Sequence, residues 1–359
     1  MHKSRLDKLR AALYGADCEA MFIVNESNVK YLSGFTSGES FLFIVTAGSN
    51  YFITDFRYIE QAEQQCPYYQ VLRYRDANTP LPKVLADLCA KYQVKKLAFE
   101  REHISYAMFE SISGSLQGIQ LLPTDSLVEQ VRAVKDEGEI ENLRIACRAT
   151  DDVFDMMCGW LHPGVTEREA KWQMYCFIND TGCVSSFKPI IAAGANGSKP
   201  HAKPSARQLQ NGDLLTMDFG CAYKGYHADI TRTVCIGNPD EKQKEIYGVV
   251  LEANLRAEAA LKAGMTGQAI DAIARDYITE QGYGEQFGHG LGHGVGMDIH
   301  ELPNLNRAND KPLPAGALVT VEPGIYIPDW GGVRIEDTCL VTEDGCEIMF
   351  RSTKELLCL

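Results

Sequence analysis

The sequence predicts an α+β protein in which a smaller α/β domain precedes a larger domain built as an internal duplication. Three observations carry this reading. Short apolar strands alternate with helical patterns over the first ~125 residues, a charged helical stretch follows, and the remainder contains a weak repeat of about 100 residues.

In the first segment, Leu6, Leu9 and Leu13 within Met1 to Leu13 recur like one face of a helix. Met21 to Val24, Phe41 to Val45, Tyr51 to Thr54 and Lys96 to Phe99 read as short buried strands. Leu81 to Tyr92 reads as a helix with Leu81, Val84, Leu85 and Leu88 on one face. Gly34 and Gly38 are read as turn glycines, and no phosphate-binding glycine motif occurs. Val131 to Arg148 is charged, has a helical period and separates this domain from the rest, so the boundary falls between residues 125 and 136.

The second segment repeats itself. Gly164-Val-Thr166 matches Gly264-Met-Thr266, with Ile178 and Gly182 recurring at the same offset of 100 as Ile278 and Gly282. Leu214 to Gly220 (LLTMDFG) aligns with Leu318 to Gly324 (LVTVEPG) at an offset of 104, which sets Asp218 against Glu322. Ala228 to Thr231 parallels Ile335 to Thr338, which sets Asp229 against Glu336. Each half therefore reads helix, helix, then a strand pair with an acid on each strand.

Composition narrows the function. The chain has 359 residues, 48 acidic against 35 basic, and a net charge of −13. That balance argues against a nucleic-acid binder or a polybasic membrane-surface protein, both of which need a basic face. No stretch approaches the roughly 18 apolar residues of a membrane span, and the N-terminus lacks the apolar core and cleavage site of a secretory signal. Twelve scattered cysteines without a CxxC pair read as reduced, mostly buried thiols, so a cytoplasmic location is expected. Cys221 and Cys235, which flank the Asp229 strand, are read as packing residues.

The chemistry lies in four acids at matching positions, Asp218, Asp229, Glu322 and Glu336, each in an apolar β-rich context. A carboxylate buried among Leu, Val and Ile is costly unless it is paired or bound to metal. Two related hairpins would aim all four at one spot. Gly288 to Gly296 (GHGLGHGVG) holds His289 and His293 among five glycines in nine residues, which excludes a helical zinc motif and leaves imidazoles free to point inward. Four carboxylates and an imidazole form a hard donor set that suits Mn²⁺ or Co²⁺. Two divalent ions would balance the four negative charges and hold a shared hydroxide for hydrolysis, and five ligands favour the pair over a single ion.

These residues resemble the pita-bread metallopeptidases: methionine aminopeptidase, aminopeptidase P and prolidase. The pattern of Asp, Asp eleven residues on, His, Glu and Glu matches Asp218, Asp229, His293, Glu322 and Glu336. The strings MDFG, HADITRT, GHGLGHGVG, HELP, VEPGIY and GVRIED resemble the Xaa-Pro-cleaving branch, as do Tyr31 to Thr36, Thr54 to Tyr58 and Val134 to Glu137. Methionine aminopeptidases usually lack the N-terminal domain. The resemblance implies a pita-bread catalytic domain over 136–359, a linker helix region over 128–148 and a creatinase-like N-terminal α/β domain over 1–127.

It also implies roles. Asp229 and Glu336 bridge two divalent metal ions, Mn²⁺ ahead of Co²⁺ or Zn²⁺; Asp218 holds one, and His293 with Glu322 the other. Glu322 acts as general base. His201, seventeen residues before Asp218, contacts substrate or stabilises charge at the scissile carbonyl. His300 binds the proline-side peptide, and Arg334 orients a carboxylate or the substrate. His289 is not expected to be a ligand, His227 is a candidate supporting residue, and Tyr326 could line the pocket, with core packing the preferred reading. The expected function is a dinuclear Xaa-Pro aminopeptidase acting on proline-containing peptides, with homodimerisation implied by resemblance alone. The alternatives are a prolidase restricted to dipeptides, a non-catalytic binding module and metal-free creatinase-type hydrolysis.

Overall fold

A computed structural model describes residues 2–75 and 79–359, which form two compact units, one up to Arg132 and one from Ala133 to Leu359. Met1, the first residue of the expected N-terminal helix, lies outside the described residues.

The first unit is a six-stranded mixed sheet flanked by helices. Its strands are β1 (Ala20–Ile23), β2 (Ser40–Val45), β3 (Asn50–Thr54), β4 (Gln70–Arg73), β5 (Lys96–Glu100) and β6 (Gln120–Thr124), in the order β4-β3-β2-β1-β5-β6. Its helices are α1 (His2–Gly15), α2 (Glu26–Ser33), α3 (Ile59–Gln65), α4 (Leu81–Tyr92), α5 (Tyr106–Ser115) and α6 (Leu127–Ala133). Strands β1 and β2 are buried along their whole lengths, as expected of strands covered on both faces. Leu6, Leu9 and Leu13 are all buried, so the periodicity of the first residues does mark the inward face of α1. In α4 the buried stripe is Val84, Leu85, Leu88 and Cys89. Leu81, in the first turn, is only partly covered.

Val131 to Arg148 is not one helix. The chain leaves α6 at Ala133 and starts α7 (Glu137–Trp160) after three intervening residues. The reason is local: Asp136 accepts from the Glu139 N–H while the Glu139 carboxylate accepts from the Asp136 N–H, a capping box that fixes a new helix start.

The second unit begins with α7 and α8 (Glu167–Asp180), followed by β7 (Val184–Ser185), β8 (Ile190–Ala193), β9 (Asp213–Phe219), β10 (Cys221–Tyr223), β11 (Tyr226–His227) and β12 (Ile230–Ile236). Helices α9 (Glu241–Ala260) and α10 (Gly267–Glu280) then lead to β13 (Gly292–Gly294), β14 (Glu301–Leu305), β15 (Leu318–Val321), β16 (Gly324–Ile327), β17 (Gly331–Arg334), β18 (Asp337–Val341) and β19 (Cys346–Ile348). Each half thus runs helix, helix, strand pair. Thr166 and Thr266 cap α8 and α10, and Gly182 and Gly282 both follow their helices with positive φ. The core under α9 and α10 contains Val250, Ala253, Ile270, Ala274, Val319, Val321 and Val341.

The two halves differ in register. In the first hairpin Thr231 lies opposite Asp218. In the second, Thr338 lies opposite Thr320, two residues before the Asp218 equivalent. The hairpins meet directly, because Thr231 and Glu336 form an antiparallel bridge in which the Glu336 N–H donates to Thr231 O at 3.0 Å.

Only Asp218 of the four acids lies within a strand; Asp229, Glu322 and Glu336 each sit one residue outside one. For Glu322 the cause is Pro323, which has no N–H to continue the ladder. Gly220, the repeat partner of Gly324, allows a close crossing, since a Cβ there would lie 1.8 Å from the carbonyl oxygen of Ala228. Gly220→Ala is expected to force that backbone apart and destabilise the protein by about 3 kcal/mol, read by urea unfolding. An unchanged midpoint would contradict the tight crossing.

Candidate metal centre

Strand ends and one glycine-rich segment carry the site. Asp218, Asp229, His293, Glu322 and Glu336 line one cavity of about 320 Å³ together with His201, His300 and Arg334. All eight positions singled out in the sequence therefore converge, though they come from segments more than 100 residues apart.

Ligand atoms of Asp229, His293 and Glu336 all lie within 4.8 Å of one another. His293 Nε2 is 3.6 Å from Asp229 Oδ2 and 3.4 Å from Glu322 Oε1. Its other nitrogen, Nδ1, lies 3.0 Å from Gly294 O, an arrangement that places the proton on Nδ1 and leaves the Nε2 lone pair facing the acids. Burial, the largest effect, holds the His293 imidazole below its ordinary range and therefore neutral.

Two threonines tie the acids to the backbone. Thr320 Oγ1 accepts from the His293 N–H at 3.0 Å and donates to Glu322 Oε1 at 3.2 Å. Thr231 Oγ1 donates to Glu336 Oε2 at 2.6 Å and accepts from Arg334 Nε at 3.0 Å. Arg334 reaches onward, with Nη2 donating to Asp218 Oδ2 at 2.6 Å and Nη1 to the Tyr326 hydroxyl at 2.8 Å.

Tyr326 is therefore more than the core packing the sequence led us to expect. It lines the cavity and links Arg334 to His289, whose Nε2 lies 3.0 Å from the Tyr326 oxygen. With Nδ1 2.8 Å from Gly290 O, both His289 ring nitrogens have partners. His300 stands edge-on to His293 with ring centroids 4.3 Å apart, and both His300 and His201 are exposed. His227 does not line the cavity.

Thr231 and Thr320 were not legible as site residues, and the sequence admits Tyr326 as a pocket residue but ranks it below packing. Thr231 and Thr320 sit beside the acids in the repeated strings, which was the available signal; nothing in the sequence marks the Tyr326 hydroxyl.

The electrostatics are those of an incomplete charge set. Burial first, then Glu336, Asp218 and Glu322, push the Asp229 carboxyl well above its usual range. Burial and neighbouring carboxylates do the same to Glu336, and burial also raises Glu322. Burial disfavours the charge on Arg334, but Tyr326 and the acids outweigh it and keep the guanidinium protonated. Fully ionised, four carboxylates against one guanidinium would leave three negative charges uncompensated. Hard divalent cations fit this oxygen-rich set and its neutral imidazole. The cysteines do not contribute: Cys221 and Cys235 are buried, and burial pushes them up to about 12 and about 11. All twelve cysteines are free.

This fold and donor set define a pita-bread metallopeptidase. The model of metallopeptidase family M24 matches residues 141–343, and that of the creatinase/prolidase N-terminal domain matches residues 5–134. The chain belongs to family M24 and is a divalent-metal peptidase. It is 35% identical over 363 residues to the Xaa-Pro dipeptidase of Pyrococcus furiosus, covering 99% of this chain and 100% of that one. The solved Xaa-Pro dipeptidase from Bacillus anthracis superimposes with a TM-score of 0.96 at 40% identity over 100% of both chains. The X-Pro aminopeptidase from Thermotoga maritima gives 0.89 at 35% identity, over 97% of this chain and 100% of that one. Among the described residues no helix is long and apolar enough to cross a membrane.

A pH dependence follows. Because Asp229 and Glu336 titrate above their unfolded values, the metal-free fold retains protons that the unfolded chain releases. Their contribution to metal-free stability is therefore greatest below the ordinary carboxylate range of about 4 and is lost as pH rises. A cation displaces the same protons, so the increase in Tm on adding Mn²⁺ should be larger at pH 8 than at pH 6, measured by thermal unfolding. Equal increases would contradict protonated acids in the metal-free site.

Proposed function

We propose that the protein is a dinuclear-metal Xaa-Pro dipeptidase, a prolidase, rather than the broader Xaa-Pro aminopeptidase that the sequence favoured. The supporting observation is full-length similarity to proteins named Xaa-Pro dipeptidase, from Pyrococcus furiosus and Bacillus anthracis, combined with a cavity of about 320 Å³. That volume suits a dipeptide-sized ligand. The aminopeptidase reading stands second because the Thermotoga maritima X-Pro aminopeptidase is nearly as similar.

In this reading Asp218, Asp229, His293, Glu322 and Glu336 would hold the ions, with Mn²⁺ as the preferred metal. When bound, divalent ions supply Lewis-acid polarisation of the scissile carbonyl and lower the pKa of the attacking water. Glu322 takes the proton of that water and passes it to the proline nitrogen as the C–N bond breaks. A carboxylate within reach of both the water and the leaving nitrogen can relay a proton between the two steps. The proline nitrogen has no N–H of its own, so it leaves only after taking up the proton that Glu322 relays from the water.

The Thr320 hydroxyl fixes one oxygen of Glu322 during this exchange. His201 and His300, exposed on the cavity wall, contact the scissile carbonyl and the proline side of the peptide. Arg334 holds Asp218 in place.

Asp229→Ala and Glu336→Ala should each remove bound metal and lower kcat by at least about 10³-fold. His300→Ala should keep its metal, by elemental analysis, while losing about 10²-fold in kcat/KM. Equal metal loss in all three would overturn these roles. Substrate length is tested with Mn²⁺-loaded enzyme on Ala-Pro and Ala-Pro-Ala. A dipeptidase cleaves the first at least about tenfold faster in kcat/KM; comparable rates would favour the aminopeptidase reading.

A further inference from the structure

The cavity does not end at the acids. At Phe187, Ile190 and His201 it adjoins a second recess of about 810 Å³, whose lining includes those same three residues. One wall of the recess is a face of α8: Arg168, Lys171, Trp172 and Tyr175 follow the i, i+3, i+4, i+7 spacing of one helical stripe. Lys188 and Lys203 close it from the segments before β8 and after His201.

Four cationic side chains therefore line the recess, and no Asp or Glu does. In a chain of net charge −13 this is an unusual concentration of positive charge. Among the described residues none of the four forms an ion pair with a carboxylate; Lys171 instead lies 5.9 Å from the Tyr175 ring. Burial, then Lys188, holds the Lys171 amine below its usual range, which marks a positive pair without a counter-ion. Trp172 is 70% exposed on the same wall, where it can stack against a ligand.

We propose that this recess is a substrate subsite for a carboxylate, with Lys171 and Lys188 as specificity-determining residues, so that the enzyme prefers Xaa-Pro peptides carrying a negative charge near the scissile bond. The proposal rests on the Xaa-Pro peptidase reading. The carboxylate has three sources: the side chain before proline, the C-terminus of the dipeptide, or a residue beyond proline.

Metal-loaded wild type and Lys171→Gln/Lys188→Gln are compared on three matched pairs: Glu-Pro against Gln-Pro, Ala-Pro against Ala-Pro-amide, and Ala-Pro-Glu against Ala-Pro-Gln. In wild type at low ionic strength the charged member of at least one pair is favoured in kcat/KM by about tenfold. The preference falls toward unity in the Gln variant and persists in Lys171→Arg/Lys188→Arg, and the responding pair identifies the carboxylate. No preference, or one equal in wild type and the Gln variant, overturns the proposal.

A second readout needs no turnover. Glutarate should quench Trp172 fluorescence, with Trp172→Phe as the blank, and this should be lost in the Gln variant. Equal or absent quenching overturns the subsite. Failure to cleave any of the six peptides would count against the Xaa-Pro reading and leave this second readout decisive for the subsite.

Discussion

The second unit is organised around the cost of burying like charges together. Asp218, Asp229, Glu322 and Glu336 occupy one cavity with a single guanidinium, and each added carboxylate makes the others harder to ionise. In the metal-free protein protons and Arg334 carry this burden, and bound cations would take the place of the protons. Much of the surrounding architecture keeps the acids from moving apart: Thr231 and Thr320 hold two of them, Arg334 holds a third, and the bridge between Thr231 and Glu336 fixes the two hairpins against each other.

Tyr326 extends that constraint outward. Its hydroxyl accepts from Arg334 and lies against His289, so the residue that restrains Asp218 is itself restrained. Burial pushes the Tyr326 phenol up to about 12, which keeps it neutral and able to bridge a cation and a neutral imidazole. The polar chain from His289 through Tyr326 and Arg334 to Asp218 is a positional device made of successive hydrogen bonds.

The fold was legible where the pattern is local. The inward stripe of α4, the buried runs of β1 and β2, and the Thr caps with trailing glycines of α8 and α10 all follow from spacing. The break between α6 and α7 was also local, written in the Asp136 and Glu139 capping pair, but helical charge periodicity masked it. The acids were legible because burying a carboxylate needs a reason, and the repeat supplied four such cases at once. Their places just outside the strands were not, since the repeat was aligned by residue type and the two hairpins pair in different registers. The contacts of Tyr326 were hidden for a different reason: a tyrosine in an apolar strand looks the same whether its hydroxyl meets solvent, backbone or an arginine.

The meeting of the two hairpins at Thr231 and Glu336 makes the site depend on both halves of the second unit. Each repeat contributes only two of the four acids, and the imidazole of His293 comes from the second repeat alone. Neither half alone can assemble the charge cluster, so the site exists only once both halves have folded against each other.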